Sequence, residues 1–271
     1  MKISEYPSIN HLSKTDIFLV DGEGGTRNIN ADNAFLSMLH MMSPENHRSI
    51  VRGKFIGNTF TLAQKNAIQN GSFDDLWLGD YWTINGVNWR IVDINYWYSK
   101  GDTPFNKNHL VIMPDNNIDT GYMNSTDVTT GGYVGSDMYE TILNNAKNII
   151  EVAFPNAVLT RREQLTNSMA HEGYPNGSNW YDSTVELPNE VMMFGCYIQS
   201  PANTGNDFKR TPTNFGQLAF LRACPWFIVK DWSWLRDPVS SSDFAIVTSN
   251  GLSTRLAAST VCGIRPVFAI G

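Results

Sequence analysis

The feature that most constrains the fold is an Asn-Gly dipeptide at positions 85 and 86, placed between two apolar runs. The run before it, 77–84, and the run after it, 87–94, both alternate apolar with polar residues. Asn-Gly between such runs is the strongest short-range signal for a tight β-hairpin, because both residues adopt a positive φ at little cost. The sequence therefore predicts an antiparallel hairpin here, and the apolar segment 109–113 predicts a further strand.

Helix signals accompany these strands. The motif at 61–64 is a capping box and predicts a helix that ends at 70–71. A longer helix is predicted over 136–154, with a buried stripe formed by Tyr139, Ile142, Leu143, Ala146, Ile149 and Ile150. A second box-like motif begins the segment 160–170 and predicts a short helix there. Beyond it the sequence shows turn residues without helical periodicity, so the fold class is predicted to be α+β.

The N-terminal segment is distinct from this domain. Two short apolar runs, 16–21 and 26–29, flank a glycine-rich turn and predict a small hairpin. A Met- and Leu-rich helix is predicted to follow as far as Ser43-Pro44, with Phe35, Leu36, Met38, Leu39 and Met42 on its apolar face. A two-stranded hairpin is marginal alone, so this segment forms either a subunit interface or a contact with its own domain. The predicted division is 1–45 for anchoring and oligomerisation, and 46–271 for the main domain.

Composition restricts the partners and the compartment. The formal net charge is −6 and no run of Lys and Arg is present, which argues against nucleic acid as a partner. No apolar stretch is long enough for membrane insertion, and the first residues lack the apolar core of a secretory signal. We therefore expect assembly in a reducing cell, with Cys196, Cys224 and Cys262 as small buried hydrophobes.

Motifs that carry chemistry are absent from the sequence. It contains no hydrolase, phosphate-binding or zinc signature, and its five histidines do not have zinc-ligand spacing. The run 115–121 resembles a calcium loop, but its glycine comes one place late and the required Glu is missing. Asp74, Asp75 and Asp80 flank aromatic residues as glycosidase acids do, although solvated turns explain them better. We expect no catalytic residue, no metal and no cofactor.

Aromatic residues are concentrated in two segments. The group at 77–98 fits sheet packing better than sugar stacking, and we expect it in the core. The second group comprises Trp226, Trp232 and Trp234.

Several blocks carry a family resemblance. The block 77–91, WLGDYWTINGVNWRI, and the block 131–139, GGYVGSDMY, resemble structural proteins of phages and prophages of gut Firmicutes. The leader, residues 1 to about 35, is similar to the segment that opens many phage tail and fibre proteins. The C-terminal pattern WLRD at 234–237 followed by GIRP at 263–266 is similar to the variable proteins of diversity-generating retroelements, which have a C-type-lectin-like fold.

The resemblance implies a C-type-lectin-like domain behind an N-terminal hairpin and helix. It also implies a non-enzymatic fibre, decoration or receptor-binding protein of the virion, assembled in the bacterial cytoplasm and adhering to a bacterial or mucosal glycan or protein. Such proteins usually form trimers, so we expect a homotrimer that meets other virion proteins through its N-terminal segment. Formylglycine-generating enzymes share the fold, but their cysteine site is not matched here. The alternatives are a purely architectural capsid or tail component and, more distantly, a glycan hydrolase.

In the retroelement family, the interval between the two C-terminal blocks carries the ligand-contacting residues. Here that interval surrounds an Asn250-Gly251 turn, and Phe244, Ala245 and Val247 are expected to be buried scaffold. The displayed face is predicted to comprise Trp232, Asp243, Ile246, Thr248, Asn250, Leu252, Thr254, Arg255 and Leu256. The alternative is an ordinary surface hairpin without a ligand. The flanking blocks should be buried, with Arg236 and Arg265 making structural hydrogen bonds.

Overall fold

The computed structural model describes residues 17–20, 27–31, 34, 44–200 and 216–271, and within them the protein is of mixed α+β type. The chain divides into two units, Met1–Ser43 and Pro44–Gly271. In the first unit, β1 (Ile17–Val20) and β2 (Arg27–Asn30) form the predicted antiparallel hairpin. The Met-rich helix is described only at residues 31 and 34, both helical. Its predicted apolar face lies outside the described residues.

The described strands of the second unit form two five-stranded sheets and a two-stranded ribbon. The first sheet consists, in spatial order, of β3 (Tyr81–Ile84), β4 (Val87–Ile94), β5 (Leu110–Pro114), β14 (Val267–Ile270) and β9 (Val185–Glu186), all antiparallel. The second consists of β12 (Ser253–Ala257), β11 (Asp243–Val247), β10 (Ser233–Pro238), β13 (Cys262–Ile264) and β6 (Asp119–Gly121). Its β10–β13 pair is parallel, and its other pairs are antiparallel. The ribbon pairs β7 (Arg161–Met169) with β8 (Pro175–Ser183).

Helices connect these strands. They are α1 (Pro44–Ser49), α2 (Leu62–Asn70), α3 (Leu143–Ala153), α4 (Glu190–Phe194) and α5 (Ala219–Ala223), with a 3₁₀ turn at Pro225–Phe227. No helix in the described ranges is long and apolar enough to cross a bilayer.

The two strongest local predictions are confirmed. Asn85 and Gly86 adopt φ values of 52° and 79°, as a two-residue hairpin turn requires, and Trp82 pairs with Trp89 across it. Thr61 accepts from the Gln64 backbone N–H while the Gln64 side chain accepts from the Thr61 backbone N–H, so the predicted capping box opens α2. The helix ends at Gly71, which adopts a left-handed φ of 75°.

The helix predicted over 160–170 is wrong, because this segment is strand β7. Its side chains alternate with a period of two: Arg161, Glu163 and Leu165 are buried, whereas Arg162 and Gln164 are partly exposed. The Glu163 carboxylate pairs with buried arginines instead of capping a helix. Pairing with β8 along nearly its whole length then outweighs a short local capping signal.

Three further boundaries differ from the sequence-based expectation. Residues 77–80 form a turn before β3, since the Asp80 backbone N–H bonds the Trp77 carbonyl. The helix predicted over 136–154 begins with a π-helical turn at Met138–Ile142. The C-terminal half, predicted to be without helices, contains α4 and α5, which are too short to show periodicity.

The centre of the second sheet is buried on both faces. On β11, Ala245 and Val247 belong to one apolar cluster, whereas Phe244 and Ile246 belong to another. Trp234 on β10 packs with the second of these clusters. Strands enclosed in this way leave little freedom for rotation or register shift, so they form a rigid base for whatever their ends display.

A buried ion triad connects the ribbon to this base. Glu163 pairs with Arg161 at 2.6 Å and with Arg236 on β10 at 2.5 Å. The Arg161 guanidinium also lies 3.8 Å from the centroid of the Trp97 ring. Burial opposes ionisation of Glu163, but Arg236 and Arg161 outweigh it and lower the pKa of this carboxyl. Glu163 therefore favours its ionised form inside the protein, and each member of the triad depends on the others.

Replacing Glu163 should be severely destabilising. Glu163→Ala leaves two buried guanidinium groups without their counter-ion, and we expect a loss of about 3–5 kcal/mol in the free energy of unfolding. Glu172→Ala is the matched control, because Glu172 is exposed in the turn between β7 and β8 and should cost less than about 0.5 kcal/mol. Denaturant unfolding measures both, and similar small losses in the two variants would contradict the triad's role.

Candidate binding surface

The hairpin of β11 and β12 ends in a three-residue loop, 249–251. The Thr248 backbone N–H donates to the Leu252 carbonyl at 2.9 Å, and the Gly251 N–H donates to the Thr248 carbonyl at 2.9 Å. Gly251 adopts a φ of 75°, which completes a type of loop common in three-residue hairpins. This geometry exposes Asn250 and leaves Leu252 64% exposed at the end of the sheet.

The structure divides the predicted display residues between two faces. Thr254 pairs with Ile246, and Leu256 pairs with Phe244, so these residues share the face that packs on the Trp234 cluster. Arg255 pairs with Ala245 on the opposite face, where its guanidinium lies 3.7 Å from the Asp243 carboxylate. The nine residues therefore cannot form one continuous surface.

Ile246 was wrongly predicted to be displayed, because it is completely buried. The prediction assumed that one face of β11 points to solvent, whereas apolar clusters cover both. Asp243, Thr248, Thr254 and Leu256 are only partly exposed. The predicted scaffold is confirmed: Phe244, Ala245 and Val247 are buried, as are the blocks 234–236 and 263–266.

The exposed predicted residues adjoin others that the sequence did not single out. Ser233 pairs with Val247, which places Trp232 across from Thr248 and near the hairpin loop. Gly251 packs so closely on Val229 that an added Cβ would lie 2.9 Å from a Val229 methyl carbon. Trp226 precedes Val229 by three residues, beside Lys230, whose Nζ lies 5.8 Å from the Trp226 ring centroid. We call the exposed set Trp226, Val229, Trp232, Asn250 and Leu252 the tip surface.

The tip surface is apolar and aromatic for a solvent-facing region. Trp226, Val229, Trp232 and Leu252 are 57%, 49%, 47% and 64% exposed. Indole rings offer a flat apolar body with one N–H donor, which suits stacking on a sugar or packing in a protein interface. Neighbouring exposed apolar side chains indicate an interaction site far more strongly than single ones do.

Arg265 holds in place the backbone next to the tip surface. Its Nε donates to the Pro114 carbonyl and one terminal nitrogen donates to the Phe227 carbonyl, each at 3.0 Å. Its guanidinium also lies 4.2 Å from the Phe227 ring centroid. Burial lowers the pKa of Arg265 to about 10, with nearby Arg90 acting in the same direction and Asp115 opposing it. The residue thus fixes the turn that presents Trp226, in the structural role predicted for it.

A second buried carboxylate fixes the start of β12, next to the hairpin loop. Glu190 accepts hydrogen bonds from the backbone N–H groups of Ile198, Gln199 and Ser200, and from the Ser253 hydroxyl at 2.6 Å. The Glu190 backbone N–H in turn donates to the Asp237 carboxylate at 2.6 Å. These bonds tie α4, the segment 198–200 and the edge strand to β10. The hairpin is therefore held next to its loop, one residue from the exposed Leu252.

Three acidic residues that the sequence offers as catalytic or metal-binding candidates, Asp75, Asp80 and Asp115, form ion pairs with arginines. Asp115 forms a bidentate pair with Arg90 at 2.7 and 2.6 Å. Asp80, expected in a solvated turn, is fully buried: burial raises the pKa of its carboxyl, although the ion pair with Arg52 opposes this. Among the residues that the structure describes, no cluster of His, Cys, Asp and Glu has a geometry suited to a metal ion.

Most of the first aromatic group is in the core, as expected, with Trp77, Trp82, Trp89, Tyr96 and Trp97 all buried. The second group is split, because Trp234 is buried whereas Trp226 and Trp232 are exposed. Trp232 was among the predicted display residues, whereas Trp226, in the 3₁₀ turn, was not. The tip surface was therefore only partly predictable.

Comparison with known proteins identifies no relative of this chain. No family model matches the sequence, and no curated protein or solved structure matches it. The assignment of the tip surface depends on the geometry of this chain alone.

Two serine substitutions distinguish a buried scaffold residue from an exposed residue of the tip surface. Ile246→Ser should cost about 3–5 kcal/mol of unfolding free energy, because it removes buried apolar volume and buries a hydroxyl. Leu252→Ser should change stability by less than about 0.5 kcal/mol, since that side chain is largely in solvent. Thermal or denaturant unfolding measures both, and a large loss for Leu252→Ser would place this residue in the core.

Proposed function

We propose that this protein is a non-enzymatic binding protein that attaches to a cell or mucosal surface through its tip surface. The observation that carries the proposal is the group of exposed apolar side chains on a sheet whose central strands are buried on both faces. Exposing Trp226 and Trp232 has a solvation cost that a binding role explains.

The architecture favours recognition over catalysis. Binding surfaces commonly place exposed aromatic anchors on a rigid framework, because anchors that are already ordered lose little entropy when the ligand arrives. Trp232 directly precedes β10, and Leu252 directly precedes β12, so both are held by the sheet. Tryptophan is also among the residues most often found at the energetic centre of an interface.

The finer part of the proposal concerns the biological setting. We propose a virion fibre, decoration or receptor-binding protein with a C-type-lectin-like domain, and a homotrimer joined through the N-terminal segment. Support comes from the sequence blocks at 77–91, 131–139 and 234–237, and from the pattern of buried blocks flanking a displayed hairpin. A purely architectural virion component is the competing function, and it requires no ligand at the tip.

Adhesion of purified protein to a panel of gut Firmicutes strains and to immobilised mucin tests the proposal. We expect Trp232→Ala to weaken binding by at least about 2 kcal/mol, roughly thirtyfold in Kd, since an anchor aromatic is removed. Leu252→Ser should weaken it as well. The matched control is Val152→Ser, because Val152 is an apolar side chain on α3 that is 69% exposed.

The outcome depends on the contrast between these variants. Loss of adhesion in Trp232→Ala and Leu252→Ser, with normal melting temperatures and an unaffected Val152→Ser, supports the tip surface. Adhesion that all three variants retain would overturn it. Failure of the parent protein to bind any strain or mucin would favour the architectural role.

A further inference from the structure

A concave site separate from the tip surface lies beside the first sheet, between α2 and the segment 54–57. It is an open groove of about 690 Å³, within the usual range for small-molecule sites. Lys54, Phe55, Asn66, Asn70, Ser72 and Asp75 are among its lining residues. None of them belongs to the tip surface.

The walls of the groove are fixed by hydrogen bonds. The segment 54–57 is attached to β3: the Tyr81 N–H donates to the Lys54 carbonyl, and the Ile56 N–H donates to the Tyr81 carbonyl. The Gln64 side chain joins the two walls, because its amide nitrogen donates to the Ile56 carbonyl while its oxygen accepts from the Trp82 indole. A groove held in this way is present before a ligand arrives.

The third side of the groove holds strained backbone. Phe73 and Asp75 both have a φ of 50°, in the left-handed region that bulky residues rarely adopt. Two contacts maintain this loop: the Phe73 N–H donates to the Ala67 carbonyl, and the Asp75 carboxylate pairs with Arg52. Strain of this kind persists only where the surrounding structure enforces it, and it is concentrated at functional sites.

The polar groups of the groove remain available to a ligand. Asn66 and Asn70 are exposed on α2, and within the described ranges their side-chain amides make no hydrogen bond. Each amide offers both donors and acceptors. Phe55 is 46% exposed on the opposite wall and supplies an apolar ring.

The charges in the groove are largely compensated. Asp75 pairs with Lys54 at 3.2 Å and with Arg52, which is also 2.7 Å from Asp80. Asp74 is a further carboxylate in the lining, so the groove has no surplus of cations that would favour an anionic ligand. A ring face beside free amides matches a molecule that has an apolar face and a rim of hydroxyl groups.

We infer that this groove binds a neutral saccharide unit, stacked on Phe55 and hydrogen-bonded by Asn66 and Asn70. The inference goes beyond the proposed function and does not depend on it, because the two sites share no residue. It gives the protein a carbohydrate contact separate from the tip.

Ligand-detected saturation-transfer NMR on the full-length protein tests this site. The probes are the methyl glycosides of glucose, galactose, mannose, N-acetylglucosamine and N-acetylgalactosamine, with methyl glucuronide and glucosamine as charged comparisons. We expect at least one neutral glycoside to bind, and the double variant N66A/N70A to weaken its Kd roughly tenfold through the loss of hydrogen bonds. Phe55→Ala should weaken the same signal. Leu62→Ala is the control, because Leu62 is exposed on α2 outside the groove lining.

The result is decided by which variants change the signal. Loss in the groove variants but not in Leu62→Ala, at unchanged melting temperatures, supports the site. No binding of any neutral glycoside, equal binding by N66A/N70A, or a preference for a charged probe would overturn it. Trp232→Ala should keep the glycoside signal while losing adhesion, so failure of one site is distinguishable from failure of the other.

Discussion

The buried pairing of Glu163 with Arg161 and Arg236 is the interaction on which the architecture most depends. It places a charge from the β7–β8 ribbon against β10 in the middle of the second sheet, where no solvent compensates for a missing partner. Pairing with β8 makes 161–169 a strand, and the alternation of that strand buries Glu163. The Glu163 side chain thus connects β7 to the second sheet, which carries the tip surface.

The same packing makes the second sheet rigid and leaves its loop end exposed. Apolar clusters on both faces of β10 and β11 fix the strands, and Arg265 and Glu190 fix the turn and the edge strand beside them. Only the loop and the adjoining turn then remain for display. The tip surface therefore omits part of the predicted display face, because Ile246 is buried and Arg255 lies on the other side of the sheet.

Local signals in the sequence predicted local structure well. The Asn85-Gly86 hairpin and the capping box of α2 form as expected, because each depends on backbone preferences within a few residues. The segment 160–170 was predicted wrongly because its structure depends on pairing with β8, which a local capping pattern does not reveal. Ile246 was predicted wrongly for a similar reason: strand alternation identifies two faces, but only the tertiary structure shows that both faces of β11 are covered.

Photo-crosslinking at the tip tests the central claim most directly, namely that a rigid sheet presents a ligand-binding surface at this end. A benzophenone amino acid is incorporated at position 252 or, separately, at position 152, two similarly exposed sites. After irradiation on strains or mucin that retain the protein, position 252 should yield a covalent adduct with a surface component, and position 152 should yield none. Adducts from position 152 alone, or equal adducts from both, would contradict the account.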